Sequence, residues 1–303
     1  MAKRRRVWVL VTAVALVASV AACSGGDGGD DEDGSTETTA TEGAAADGTL
    51  DVLVTSADGL ASPGMSALVQ RLYQESATSV IVAAPDTANP VPPAPVVDGE
   101  IPATTYATTL DGYPGVTVAA GAEDTVRAAI AGGLDGLPAD QRTPDLVIAG
   151  IGDGQLIGSL AEFSANVPAA RTAADAGVPA LVVAQGLDAT PPDYGNGVTQ
   201  TLAWIEQHRA ALTAGDAPVG VTVLSVPTCT TGEPRGVVEV PIATDDAGRP
   251  LNVVDCGSAA EDPVDDVAAF TTGFATLTEL PVEPAAPSAT TVPAAPPTTA
   301  APA

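Results

Sequence analysis

The chain has 303 residues, 45% hydrophobic, 3% aromatic and 16% charged, which excludes a wholly disordered or collagen-like chain and leaves room for one sizeable core or two small ones. Eleven basic residues face 38 acidic ones, a formal net charge of −27. Such a field repels phosphate backbones and anionic lipid, so nucleic-acid binding and electrostatic membrane docking are excluded as leading readings.

In chain order, Lys3, Arg4, Arg5 and Arg6 form a basic start, and Val7 to Val20 is an apolar run of 14 residues. A membrane-spanning helix needs about 20, so the pattern reads as a secretory signal. Val20-Ala21-Ala22-Cys23 resembles the bacterial lipobox, in which the cysteine becomes the lipidated first residue. The expected organisation is a signal peptide over 1–22, lipidation at Cys23, and secretion to the outer face of a bacterial cell membrane with the lipid as anchor. Residues 23–48 form an acidic tether without a branched aliphatic, aromatic or methionine side chain. Residues 284–303, rich in Ala, Pro and Thr, read as an extended tail. Folded structure is expected over 49–283.

Leu50 to Thr55 is apolar enough for a buried strand, and Ser62-Pro63 then signals a helix by pairing a capping residue with proline at the first helical position. Met65, Leu68, Val69 and Leu72 recur at helical spacing. Strands are predicted at 80–84, 115–119, 146–149, 180–184 and 219–226, and helices at 124–131, 167–176 and 197–212. Strands with little alternation, separated by helices, indicate a parallel sheet covered on both faces. The fold class is α/β, Rossmann-like and doubly wound, with a mostly parallel sheet. Val237 to Ile242 and Phe274 to Leu280 suit C-terminal β-hairpin extensions. Ligands of such sheets bind beyond the carboxyl ends of the strands, which directs attention to the loops at 56–62, 85–95, 150–166 and 185–196.

With Cys23 assigned to lipid, Cys229 and Cys256 remain in an oxidising compartment, where they form a structural disulfide or stand as two separate thiols. Gly150, Gly152, Gly154 and Gly158 fail the dinucleotide fingerprint, because Ile157 occupies the place of its last glycine. His208, the only histidine, reads as a surface residue, so no Ser-His-acid triad is available.

Three segments, Leu53-Val54-Thr55-Ser56-Ala57-Asp58-Gly59 with Ser62-Pro63-Gly64, Val82-Ala83-Ala84-Pro85-Asp86, and Pro144 to Ile151, resemble in order and spacing the SurE survival-protein nucleotidases. Phe163-Ser164-Ala165-Asn166-Val167, Gly177-Val178-Pro179-Ala180 and Asp266-Val267-Ala268-Ala269-Phe270 continue the resemblance. It implies a divalent-metal-dependent phosphohydrolase of nucleoside 5′- and 3′-monophosphates that dimerises through C-terminal β extensions.

That family's first loop reads Asn-Asp-Asp-Gly, where this chain has Ser56, Ala57, Asp58 and Gly59. Pro90 lies nearest the place of a serine ligand, and Gly152 stands where an asparagine follows Gly-Ile. The resemblance therefore assigns Asp58 as the catalytic carboxylate and metal ligand, with Asp153 and Asn89 as replacement ligands. Ser164 and Asn166, where the family has Ser-Gly-Thr, are assigned to phosphate. If active, the chain takes Mg²⁺ or Mn²⁺ as cofactor; if its site is degenerate it takes none and is a non-catalytic SurE-like binding or interaction protein. A solute-binding lipoprotein is the remaining reading, and it requires two lobes flanking a cleft.

Overall fold

In this computed structural model, residues 48–87, 102–135, 143–187, 192 and 194–281 are described, all within one compact unit that starts at Ala46. The signal peptide, Cys23, nearly all of the tether, Asn89, Pro90 and the 284–303 tail lie outside them.

Strand β1 (Leu50–Thr55) is buried on both faces: Leu50, Val52 and Val54 enter one core and Leu53 the other. Helix α1 (Pro63–Leu72) starts as its sequence requires, with the Ser62 hydroxyl accepting a hydrogen bond from the Met65 N–H at 3.4 Å and Pro63 in the first turn. It buries Met65, Leu68, Val69 and Leu72. β2 (Thr78–Pro85), β3 (Thr104–Thr108), β4 (Pro114–Val118) and α2 (Ala122–Ile130) follow. Next come β5 (Leu146–Asp153), α3 (Asn166–Asp175), β6 (Ala180–Gln185), α4 (Tyr194–Ala214) and β7 (Val221–Val226). The chain closes with β8 (Val237–Glu239), α5 (Asp266–Thr271) and β9 (Ala275–Glu279).

The nine strands form one sheet in the order β3-β4-β2-β1-β5-β6-β7-β9-β8, and only the β3–β4 and β7–β9 pairs are antiparallel. Helices α1 and α4 share the core on one face, built around Leu68, Ile148, Leu181 and Ile205. Helices α2 and α3 share the other, around Leu53, Val126, Val147 and Val182. This is the doubly wound α/β fold that the sequence predicts. All strands of the described residues lie in a single sheet, unlike the two lobes of a solute-binding protein.

Three departures have physical causes. β3 has no counterpart among the predicted strands: its sequence, Thr-Thr-Tyr-Ala-Thr, lies half-buried to exposed at the sheet edge and carries no core-facing pattern. The C-terminal strands do not form a hairpin, because β8 pairs parallel to β9. Parallel neighbours need a crossover, which the segment containing α5 provides. β5 runs past Ala149 to Asp153, since after an irregularity between Ala149 and Gly152 it resumes pairing, Gly152 with Ala184 and Asp153 with Gln185. Asp153 is therefore a strand end and not a free turn.

His208 is half-buried: its ring stacks on Trp204 at 4.3 Å, and its Nδ1 donates to the Trp204 carbonyl at 2.7 Å. Cys229 and Cys256 form a disulfide. The ring of chain it closes includes Ala243, Asp246 and Leu251, which reach the segment after β5 in three ways. Ala243 packs with Ile157, Val267 and Phe270 in a small satellite core. The Asp246 carboxylate accepts from the Ser159 N–H at 2.7 Å, and the Leu251 carbonyl accepts from Gln155 Nε2 at 2.6 Å.

Candidate active site

From β1 the sheet extends one way through β2, β4 and β3, and the other way through β5 and the strands that follow it. Crevices at such switch points receive the loops that diverge from adjacent strands. A cavity of about 250 Å³ lies there, lined by Ala57 and Asp58 after β1, Asp153 at the end of β5, and Phe163, Ser164 and Asn166 before and at the start of α3. The structure thus brings together Asp58 from the loop after β1, Asp153 from the end of β5, and Ser164 and Asn166 from the segment that enters α3. A larger cleft, about 350 Å³, lies between α4 and the amino ends of β6 and β7. The smaller cavity lies at the carboxyl ends of the adjacent parallel strands β1 and β5, where ligands of such sheets bind, and is the candidate site.

Hydrogen bonds fix its floor. Asn166 is 3% exposed, and its Oδ1 accepts from the Ala57 N–H at 2.8 Å, joining the loop after β1 to α3. The Ser164 hydroxyl accepts from the Asn166 N–H at 3.2 Å, and the buried Ser56 hydroxyl accepts from the Asp58 N–H at 3.3 Å. Gly59, at φ +80°, completes the turn, and a Cβ there would lie 2.6 Å from Thr87 Oγ1. Gly152 faces Asn166 directly: a Cβ at 152 would stand 2.9 Å from Asn166 Nδ2. The Asn166 amide thus occupies the space that a side chain at 152 would enter, while its oxygen is held by the Ala57 N–H.

Burial first, and the nearby negative charge of Asp153 second, push the Asp58 carboxyl above the ordinary carboxylate range. Tyr194, at the first residue of α4, donates its hydroxyl to Asp153 Oδ1. Burial, that hydrogen bond and the charges of Asp153 and Asp58 push its pKa up, which keeps it a donor. Among the described residues, no basic side chain lines the cavity. Two carboxylates facing each other without a cation, beside hydroxyl and amide oxygens, fit a hard divalent ion. Among the described residues no group of three or more His, Cys, Asp and Glu is arranged to hold a metal. An ion here would rely on two carboxylates, with water and ligand oxygens completing its shell, as Mg²⁺ commonly does.

Tyr194 is not among the residues the sequence singles out, because the predicted helix starts at 197 and leaves Tyr194 in the loop before it, whereas α4 starts at Tyr194. Only the pairing of a strand end with a tyrosine across the crevice points to it.

The family model described as "Survival protein SurE" matches residues 52–246, a span that contains every residue of this cavity named above. The 5'-nucleotidase SurE of Sorangium cellulosum (strain So ce56) is 29% identical over 178 residues, 58% of this chain and 64% of that protein. The 5'-nucleotidase SurE of Carboxydothermus hydrogenoformans is 31% identical over 136 residues, 45% of this chain and 49% of that one. The chain thus spans 64% and 49% of these two relatives' lengths. The crystal structure of a SurE protein from Aquifex aeolicus superposes with a TM-score of 0.57 at 18% identity, covering 77% of this chain and 94% of that one, a likeness of fold.

Proposed function

We propose, from the premise that the chain belongs to the SurE survival-protein family, that it is a metal-assisted phosphomonoester hydrolase acting on nucleoside monophosphates with a reduced set of protein ligands. The observation that carries this reading is the meeting of Asp58 and Asp153 with Ser164 and Asn166 in one crevice. Asp58 and Asp153 would hold Mg²⁺ or Mn²⁺, and Asn89 lies outside the described residues. The bound ion supplies charge neutralisation at the phosphoryl oxygens and a more acidic water.

The chain's own groups do the rest. Ser164, whose oxygen accepts from the Asn166 N–H, offers its hydroxyl hydrogen to a phosphate oxygen; the first three positions of α3 add no open N–H, because Asn166 and Val167 both donate to Ser164 and position 168 is proline. Asn166 holds the Ala57 backbone, and with it the Asp58 loop, at the phosphate side. Tyr194 orients Asp153 by donating to one of its oxygens. Because no Lys, Arg or His of the described residues lines the cavity, an anionic ester has to enter together with a cation.

The test is phosphate release from a nucleoside monophosphate panel with Mn²⁺, Mg²⁺ or chelator. Release is expected only with the ion, and Asp58→Ala and Asp153→Ala are each expected to lower it by about a hundredfold or more. Nucleotide binding without release would favour the second reading, a non-catalytic SurE-like binding protein, for which Ala57 and Gly152 in place of ligands speak. No cation-dependent binding at all would overturn both. The same proposal places the domain outside the cell on a lipid attached to Cys23, so fatty-acid labelling should disappear in Cys23→Ser.

A further inference from the structure

We infer that Phe163 is the platform on which this site stacks the base of its ligand, so that the crevice discriminates by ring area and favours purine over pyrimidine nucleotides. The inference rests on the reading of the cavity as a nucleotide-phosphate site and adds to it the residue that recognises the base.

Phe163 is 83% exposed, the barest large hydrophobic side chain among the described residues, and it stands on the lining of the cavity. The chain has three phenylalanines, and the other two are covered: Phe270 is 1% exposed and Phe274 carries the Arg235 guanidinium at 4.2 Å from its ring centre. An aromatic ring left in water forgoes the burial that drives folding, and Phe163 does so beside the polar crevice at the sheet's switch point.

Its backbone is not loose. The Phe163 N–H donates to the Leu160 carbonyl at 2.9 Å, which closes it onto the short 3-10 turn Gly158–Leu160. That turn is held in turn by two carboxylates: Asp266 accepts from the Gly158 N–H at 2.8 Å, and Asp246 from the Ser159 N–H at 2.7 Å. Phe163 directly precedes Ser164, so the ring and the proposed phosphate donor are neighbours on one segment. The electrostatics require such a group. With two carboxylates and no basic side chain among the described residues of the lining, the phosphate contributes little affinity beyond its contact with the ion, and the uncharged remainder of the ligand has to supply the rest. A base stacked on an aromatic ring does this without hydrogen-bond readout, and the larger purine covers more of the ring.

The experiment measures dissociation constants for adenosine 5′-monophosphate, cytidine 5′-monophosphate, ribose 5-phosphate and inorganic phosphate in saturating Mn²⁺, for wild type, Phe163→Ala and Phe163→Trp. Wild type should bind the adenine nucleotide tighter than ribose 5-phosphate by about 5- to 100-fold, with cytidine between. Phe163→Ala should erase that difference while leaving ribose 5-phosphate binding unchanged. Phe163→Trp should keep it, and its indole fluorescence should be quenched by the adenine nucleotide and not by ribose 5-phosphate. Equal affinity of wild type for the adenine nucleotide and ribose 5-phosphate, or an unchanged ratio in Phe163→Ala, would overturn the stacking role while the phosphate site stands. Absence of binding by all four ligands would overturn the phosphate reading and this one with it.

Discussion

Asp58 is strained electrostatically in the cation-free fold, because burial and Asp153 both oppose its charge. A carboxyl whose pKa is raised by folding is protonated in both states at low pH and affects stability in neither. As pH climbs past about 4, the unfolded chain releases the proton first, so folding loses free energy until the folded group ionises as well. Asp58→Asn should therefore raise the melting temperature at pH 7 by a small amount in chelator, and the gain should vanish at pH 3; a variant equally stabilised at both values would show that the gain does not come from the charge. In wild type, the divalent ion should remove the same penalty. At this scale the sequence displayed Asp58, Asp153, Ser164 and Asn166, because each sits at a fixed offset from a strand end or helix start. It concealed the close approach of Asn166 to Gly152, since only the fold sets them face to face.

Helices and central strands were legible because burial on both faces leaves unbroken apolar runs, as in β1 and β6. The periphery was not: edge strand β3 lacks such a run, and β8 depends on a distant partner supplied after α5. Asp266 shows how that periphery serves the crevice. Fully buried at the start of α5, its carboxylate accepts from the Gly158 and Ala243 N–H groups, each at 2.8 Å, and ties the wall after β5 to the C-terminal segment. Removing it strands two buried donors, at a cost of about 1–3 kcal/mol each. Asp266→Ala should accordingly lose about 2–5 kcal/mol in urea unfolding, and Asp266→Asn, which keeps one acceptor, should lose about half. Full stability of Asp266→Asn beside a large loss in Asp266→Ala would show that the side chain's size, and not its pair of accepted hydrogen bonds, matters.

Over the whole molecule, 38 acidic residues and eleven basic ones leave little to offset self-repulsion, so covalent closure counts for more than in a balanced chain. The Cys229–Cys256 bridge spans a separation of 27 residues and on the loop-entropy model is worth about 3–4 kcal/mol. Reduction should lower the melting temperature by roughly 10 °C, and alkylated, reduced protein that melts unchanged would refute this. The two cysteines lie outside the strands, and the ring they close carries edge strand β8 together with Asp246 and Leu251, both bonded to the segment after β5. Oxidation is thus a finishing step for the rim and for the edge strand β8, and not for the central strands of the sheet. A batch made in a reducing cytosol would emerge with a sound scaffold and a slack mouth, soluble and helical by every bulk measure, and would be dismissed as inert for want of one bond.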